Sequence, residues 1–577
     1  MRLLHLLPGP SDGPLQAVLN HIPCSNAGTY QALSYVWGTD KRDEELVTPD
    51  GAIPITSSLY RALQAIRQSD TAIMIWADAV CINQADNAEK ARQIRLMPQI
   101  FQACECAYAF LSEGGPSIDQ ALEMLMQVRA KAVLEESAQS KEEDSQDDDG
   151  WPQGLPYIPW SWAGNRIPPL HSPIWKAIKA LFSLPYFRRA WIVQEVVAAP
   201  KLKIVCGKWL IDWKDFHGAL EVVDREVQIA EHEDQALGLR TTWEPFVKLA
   251  TQREWESRQY RWSLLMLLEH FRYTEATLSR DRLFSVVGLA SDGNDPDFEP
   301  DYDSPLPDIV LKFAKAFIRQ GRAIQLLYRA GLPTPDSKFD PKFPSWIPNW
   351  TSNRPIGLHD SEDTDLNFAA CGPKPAAISL GSVPDELNVE GYDLDTIVSI
   401  SSAANYETSW AAYFAEIDAL IESSVLSDTM GPREDVKWKV PIAAAPFARA
   451  AGGGTMDMRR SYAAFRAKLE ADQGRGSSAR GAYEKNAFKS YMACLRGTLE
   501  GWKFIVTKRG FVGVVPGASE VGDVLAIMKG GCVPFVVRGS EEREGRCRLV
   551  GECYVHGVMK GEGLWLPGVQ ERTFCLH

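Results

Sequence analysis

The stretch from residues 71 to 84, TAIMIWADAVCINQ, limits the fold more than any other part of this chain. Six apolar residues, Ala72-Ile73-Met74-Ile75-Trp76-Ala77, run without alternation into Asp78. A run this short, rich in β-branched and aromatic residues and bounded by polar ones, predicts a fully buried strand rather than a turn of helix. Such strands belong chiefly to parallel sheets covered on both faces. Asp78, Asn83, Gln84 and Asp86 then crowd its C-terminal end, where open α/β sheets place their ligand-binding loops.

The surrounding pattern extends that sheet. Residues 15–19 and 30–37 read as strands, the second ending at Gly38, which serves either as a plain turn or as a positive-φ position in a ligand loop. Residues 59–67 and 88–103 have helical periodicity, with Pro98 as a bend in the second, and residues 107–111 form a third core strand. Strand, helix and strand at these lengths make a βαβ unit. A further helix spans 119–134. Residues 135–150 carry eight acidic residues against one Lys and no aromatic, the composition of a solvated, disordered insert. From about Phe187 the chain reads as one helix, with Arg188 and Trp191 on a shared face.

Helical segments continue through 309–319. The expected division is a first α/β domain over 1–215, a helical extension packed on it over 216–330, and a third domain over 331–577. In the last, residues 387–392 and 395–400 read as two strands paired around a short turn. Short strands with Gly-containing turns follow from 503 to 558. This pattern predicts a mostly β, barrel-like domain with helical insertions.

At 577 residues the chain is too long for one core. A formal net charge of −14 argues against general nucleic-acid binding, and no apolar run reaches membrane-span length. The 11 Cys include no CxxC pair, which removes structural zinc and disulfide frameworks and fits a reducing cytoplasmic setting. The 9 His are dispersed, with no HExxH, so no metal ligands are assigned. GxxxxGK[ST], a GxGxxG after the leading strands and GxSxG are all absent. Cys81, after an apolar run and without an identifiable His partner, reads as a buried thiol.

Two carboxylates remain. Asp78 either bonds to the turn that follows its strand or contacts a ribose or amide at the ligand edge. Glu195, near Arg188, Arg189 and Trp191, either pairs with an arginine or stabilises an oxocarbenium-like transition state, as cleavage of a nicotinamide–ribose bond requires.

Three segments carry a family resemblance: YQALSYVWG at 30–38, IWADAVCINQ at 75–84 and RAWIVQE at 189–195. In order and spacing they resemble the signature blocks of the fungal heterokaryon incompatibility (HET) domain family. DRLFSVVGL at 281–289 is similar to the block that usually follows. Segments around Gly510–Gly513, Val533–Arg538 and Gly551–Met559 resemble the barrel region of larger family members. Ala77 departs from the pattern, standing where Ile or Val is more usual.

The resemblance implies a role in nonself recognition, in which incompatible fusion cells die. HET domains are also similar to Toll/interleukin-receptor (TIR) domains, whose parallel sheet is of flavodoxin type, and some TIR domains cleave NAD with a helix-borne glutamate. The expectation is therefore an NAD hydrolase that needs no prosthetic group, with Glu195 catalytic. Trp37, Gly38, Asp78, Asn83, Arg188, Arg189 and Trp191 are the expected NAD-binding residues, with Arg188 or Arg189 on phosphate. A protein partner and self-association are expected, without nucleic acid or a membrane span. The alternative is a non-enzymatic signalling and protein-interaction module.

Overall fold

The computed structural model describes residues 1–10, 13–23, 28–39, 41–143, 167–230, 239–332, 343–351, 358, 368–404, 409–427, 430–443, 457–472, 482–499 and 501–577. The chain divides into two compact units, Met1–Ser304 and Pro305–His577.

The first unit opens with β1 (Arg2–Leu6), β2 (Ala17–His21), β3 (Gln31–Tyr35) and the hairpin β4 (Glu44–Thr48) and β5 (Gly51–Ile55). Next come α1 (Ser57–Ile66), β6 (Ile73–Trp76), the single turn α2 (Asp78–Cys81), α3 (Asn87–Ala103) and β7 (Cys106–Ser112). After α4 (Pro116–Glu143) and α5 (Ile174–Phe182) stand α6 (Ile192–Ala198), β8 (Leu202–Cys206) and β9 (Trp209–Asp212). Four helices finish the unit: α7 (Trp213–Ala230), α8 (Arg240–Ser257), α9 (Leu264–His270) and α10 (Asp281–Val287).

Seven strands form one sheet in the order β2-β1-β6-β3-β7-β8-β9. The middle four, β6, β3, β7 and β8, are parallel. Both flanks are antiparallel, so the sheet is mixed rather than wholly parallel. The strand expected at the heart of the sheet has a parallel neighbour on one side and the antiparallel β1 on the other. A doubly buried strand needs covered faces, and either kind of neighbour permits that.

Alternation along the strands sorts the two faces. Leu33 and Tyr35 of β3 and Ile75 of β6 join Leu59, Ala62 and Leu63 of α1 in one core. Trp76 points the other way and meets Phe101 of α3 edge-on, with ring centroids 5.5 Å apart. Ser34, fully buried, lies on this second face, where its hydroxyl reaches α6. Helix α1 is capped by Thr56, whose side-chain oxygen accepts from the Leu59 N–H. Helix α4 runs to Glu143, past the point at 135 where composition predicts its end, and residues 144–150 lie outside the described residues.

The expected helix from Phe187 is instead two pieces. A 3-10 turn, Pro185–Arg188, is followed by Arg189 in extended conformation and then α6. The backbone explains the break. Glu275 N–H donates to the Arg188 carbonyl and Ala190 N–H donates to the Glu275 carbonyl, using groups that a continuous helix would pair within itself.

The second unit begins with α11 (Leu306–Arg319), α12 (Ala323–Tyr328), β10 (Ile378–Leu380) and β11 (Leu387–Ala403). The helices α13 (Trp410–Ser423), α14 (Arg433–Lys439), α15 (Met458–Asp472) and α16 (Ala482–Leu499) precede a run of strands. These are β12 (Trp502–Thr507), β13 (Val512–Pro516), β14 (Val524–Met528), β15 (Phe535–Gly539), β16 (Cys547–Glu552), β17 (Tyr554–Val555) and β18 (Gln570–Leu576). With β10 and β11 they form a mostly antiparallel nine-stranded sheet. The two strands expected at 387–400 are one long strand, β11. Register shifts at Asp393/Asp395 and beyond bend it, so that its first part pairs with β18 and β14 and its second with β12.

Candidate functional site

The C-terminal ends of β3 and β6 open on a cavity of about 540 Å³ in the first unit. At the end of β3, Trp37 and Gly38 line it, and Gly38 has φ +73°. A Cβ there would have room, with Ser58 3.7 Å away, so it is the left-handed backbone that calls for glycine. At the end of β6, Asp78 starts α2 and is bonded to the Ala79 N–H at 2.8 Å. Opposite stand Arg189, Trp191, Asp281 and the 275–278 segment, which the Glu275 backbone bonds hold against residues 188–190.

A buried polar chain lies behind this wall. Trp37 Nε1 donates to Asp78 Oδ2 at 2.8 Å. Arg189 bridges two carboxylates, Nη2 to Asp78 Oδ2 at 3.1 Å and Nη1 to Glu195 Oε1 at 2.7 Å. Glu195 Oε2 accepts from the Ser34 hydroxyl, whose oxygen lies 2.7 Å from the Tyr186 hydroxyl. Since the one Ser34 hydroxyl hydrogen goes to Glu195, Tyr186 donates to Ser34. Residues at 34, 37, 78, 186, 189 and 195 thus meet in one network.

Burial governs the charges. It pushes the Glu195 carboxyl above its ordinary pKa, with Arg189 pulling the other way and Asp78 reinforcing the rise. Burial alone would lower Arg189, but Glu195 and then Asp78 outweigh it and hold the guanidinium firmly charged. Tyr35 is driven well above an ordinary phenol by burial first and by Asp78 second. Cys81, buried, is pushed up to about 12 by desolvation, and a thiol so reluctant to ionise is a poor nucleophile.

Of the expected site residues, Trp37, Gly38, Asp78, Arg189 and Trp191 line the cavity. Glu195 does not line it. The glutamate is 2 % exposed, one link behind, with both oxygens engaged. Asn83 lies outside; its side-chain oxygen accepts from the Ala85 N–H. Arg188 is half exposed and does not line the cavity, though its partner Glu275, 3.5 Å away, does; Arg189 is committed to two carboxylates. Sequence reasoning passed over Ser34, Tyr186, Lys90 and Tyr302. A serine inside a buried strand is the only local signal among them.

Asp281 is a further cavity carboxylate. It accepts from Tyr302 Oη at 2.6 Å and from Trp191 Nε1 at 3.3 Å, and burial raises its pKa against those bonds. The Lys90 ammonium sits 4.1 Å from the Tyr302 ring centroid. A larger groove, of about 980 Å³, runs along α3, α8 and the end of α10. Its Arg253 and Arg261 are bonded to backbone carbonyls, Arg253 to those of Val196, Ala199 and Pro200. Arg253 in particular fixes the C-terminal end of α6, which carries Glu195.

Among the described residues no group of three metal-ligating side chains occurs. The ten described cysteines form no disulfide, and no described helix is long and apolar enough to cross a membrane.

Residues 30–195, which hold Trp37, Asp78, Arg189 and Glu195, match the family described as Heterokaryon incompatibility protein (HET). The chain carries a HET domain. Residues 456–566 match the family described as Het-6 beta-barrel domain. Heterokaryon incompatibility protein 6, OR allele, of Neurospora crassa is 24 % identical to it, over 97 % of this chain and 94 % of the relative. No solved structure matches the chain.

Proposed function

We propose that this chain acts in heterokaryon incompatibility, the role in the name of its Neurospora relative, as part of fungal nonself recognition, and that its HET domain hydrolyses the nicotinamide–ribose bond of NAD. One observation carries the chemistry. Asp78 faces a ligand-sized cavity at the ends of parallel strands, bonded to an indole and braced from behind by Arg189 and Glu195. The parallel strands, numbered along the chain, lie in the order second, first, third, fourth. That order supports a TIR-like, flavodoxin-type sheet, in which ligands bind outside the carboxyl ends near the switch point. The pairings β14-β15-β16-β18-β11-β14 return on themselves and support a closed barrel in the second unit.

In this reading nicotinamide leaves C1′ with the electron pair of the glycosidic bond. The carboxylates Asp78 and Glu195, joined through Arg189, stabilise the ribosyl cation. Water attacks C1′ and releases a proton, giving ADP-ribose. Lys90 at the cavity wall meets a phosphate, in place of Arg188 or Arg189. No prosthetic group takes part. NAD loss in the cytoplasm of a fused cell leads to death, with self-association and a protein partner as the trigger.

The test is chromatography of nicotinamide released when the purified full-length chain is incubated with NAD under conditions that support assembly. Release is expected, lowered about a hundredfold or more by Asp78→Asn and less by Glu195→Gln. Absence of release from the parent chain refutes the enzyme. A second reading, a non-enzymatic signalling module, is favoured by the engagement of both Glu195 oxygens. On that reading both variants keep incompatibility activity.

A further inference from the structure

Two indoles line the cavity, and each spends its one hydrogen-bond donor on a carboxylate that is almost out of solvent. Trp37 Nε1 is bonded to Asp78 at 2.8 Å and Trp191 Nε1 to Asp281 at 3.3 Å. Asp78 is 7 % exposed and Asp281 8 %. An indole has no other donor and no acceptor, so what remains for a ligand is the negative face of each ring. Donation to an anion enriches that face further. The same wall already holds one cation on an aromatic ring, Lys90 over Tyr302. Among the charged residues lining the cavity, Asp78, Glu275 and Asp281 face Lys90 and Arg189, and Arg189 is already shared by two carboxylates.

We infer that this cavity receives a planar, positively charged heterocycle on the faces of Trp37 and Trp191. Asp281 and Tyr302 are positioning residues that set the Trp191 ring. The inference rests on the nucleotide reading and narrows it: the pyridinium of oxidised NAD belongs in the cavity, and a neutral ring of the same shape does not.

The test is calorimetric titration of the full-length chain with N1-methylnicotinamide, a cation, and with nicotinamide, its neutral counterpart. The cation should bind about tenfold more tightly. Trp191→Leu should abolish most of that preference. Tyr302→Phe, which removes one anchor of Asp281 and little else, should weaken the cation about threefold and leave the neutral ring unchanged. Equal affinities, no binding of either compound, or a preference untouched by Trp191→Leu would overturn the inference. Hydrolysis is scored separately. Cation preference without NAD cleavage upholds this inference and sinks the hydrolase, and cleavage with equal affinities does the reverse.

Discussion

Replacing Arg189 by Met would test whether the buried chain behind the cavity is held by charge. The Arg189 side chain is 12 % exposed, between the side chains of Glu195 at 2 % and Asp78 at 10 %. At N–O separations of 2.7 and 3.1 Å, attraction at an effective dielectric of about 20 amounts to about 6 and 5 kcal/mol, most of it offset by the desolvation of three ions. What survives is the cost of leaving buried carboxylates unpaired, about 3–5 kcal/mol. Asp78 keeps its bonds from Trp37 and Ala79, so the cost falls mainly on Glu195.

Glu195 already has a raised pKa through burial, and without Arg189 it rises further. The folded variant then holds a proton that the unfolded chain releases. Its stability falls as pH climbs from the unfolded carboxyl value through the folded one, and recovers toward acid. Urea unfolding of the full-length chain, followed by tryptophan fluorescence at pH 7.5 and 5.5, reads this directly. Arg189→Met should lose about 3 kcal/mol or more at the higher pH and less at the lower. Adding Glu195→Gln should restore about 2 kcal/mol at pH 7.5 and flatten the pH dependence. A loss under about 1 kcal/mol, or a Glu195→Gln effect that is equal in both backgrounds, would refute the reasoning.

Three other perturbations probe the framework of the same unit. Burial, with Lys248 adding to it, lowers His270 to about 4, so the unfolded chain binds a proton that the folded one refuses between pH 6.5 and about 4. Stability is lost as pH falls through that window, by about 2 kcal/mol after allowing for the exposed part of the ring; His270→Phe, beside Trp262 and Phe271, should remove that loss in acid unfolding curves. A Cβ on Gly288 would come within 2.4 Å of Pro98 Cγ in α3, so Gly288→Ala should cost about 1–3 kcal/mol by urea unfolding. Arg253→Met should free the carbonyls at the end of α6 and cost about 2–3 kcal/mol. Hydrogen exchange should quicken first in α6.

The network was legible wherever a polar residue closes an apolar run. Asp78 after IMIWA and Trp37-Gly38 after QALSYV both mark strand ends, and parallel neighbours bring such ends together. Less visible was how adjacent arginines part company. On one helix Arg188 would accompany Trp191, but the extended Arg189 sends its own guanidinium inward while Arg188 pairs outside. That turn depends on backbone bonds to Glu275, 86 residues beyond Arg189, which no local pattern announces. Strand β1 was hidden in the short apolar MRLLHLL, and β18 behind the charged QER of its start. Both become strands through pairing, β1 with β6 and β18 with β11.

Placing Glu195 one link behind the cavity also changes what its substitution can prove. Glu195→Gln removes the charge that holds Arg189, so Arg189 would lean further onto Asp78 and lower the negative potential at the cavity wall. Turnover would then fall without Glu195 ever touching a substrate. Asp78→Asn acts at the wall itself, and leaves Arg189 bonded to Glu195. If Asp78 is the group that meets the ribosyl cation, its substitution depresses kcat with little change in KM. Glu195→Gln should depress kcat less, and Arg189→Met should partly suppress that loss, because the displaced guanidinium is then gone. A Glu195→Gln defect that persists undiminished in the Arg189→Met background would mean that the glutamate itself reaches the reacting atoms, and that the resting arrangement of Ser34, Arg189 and Glu195 opens during turnover.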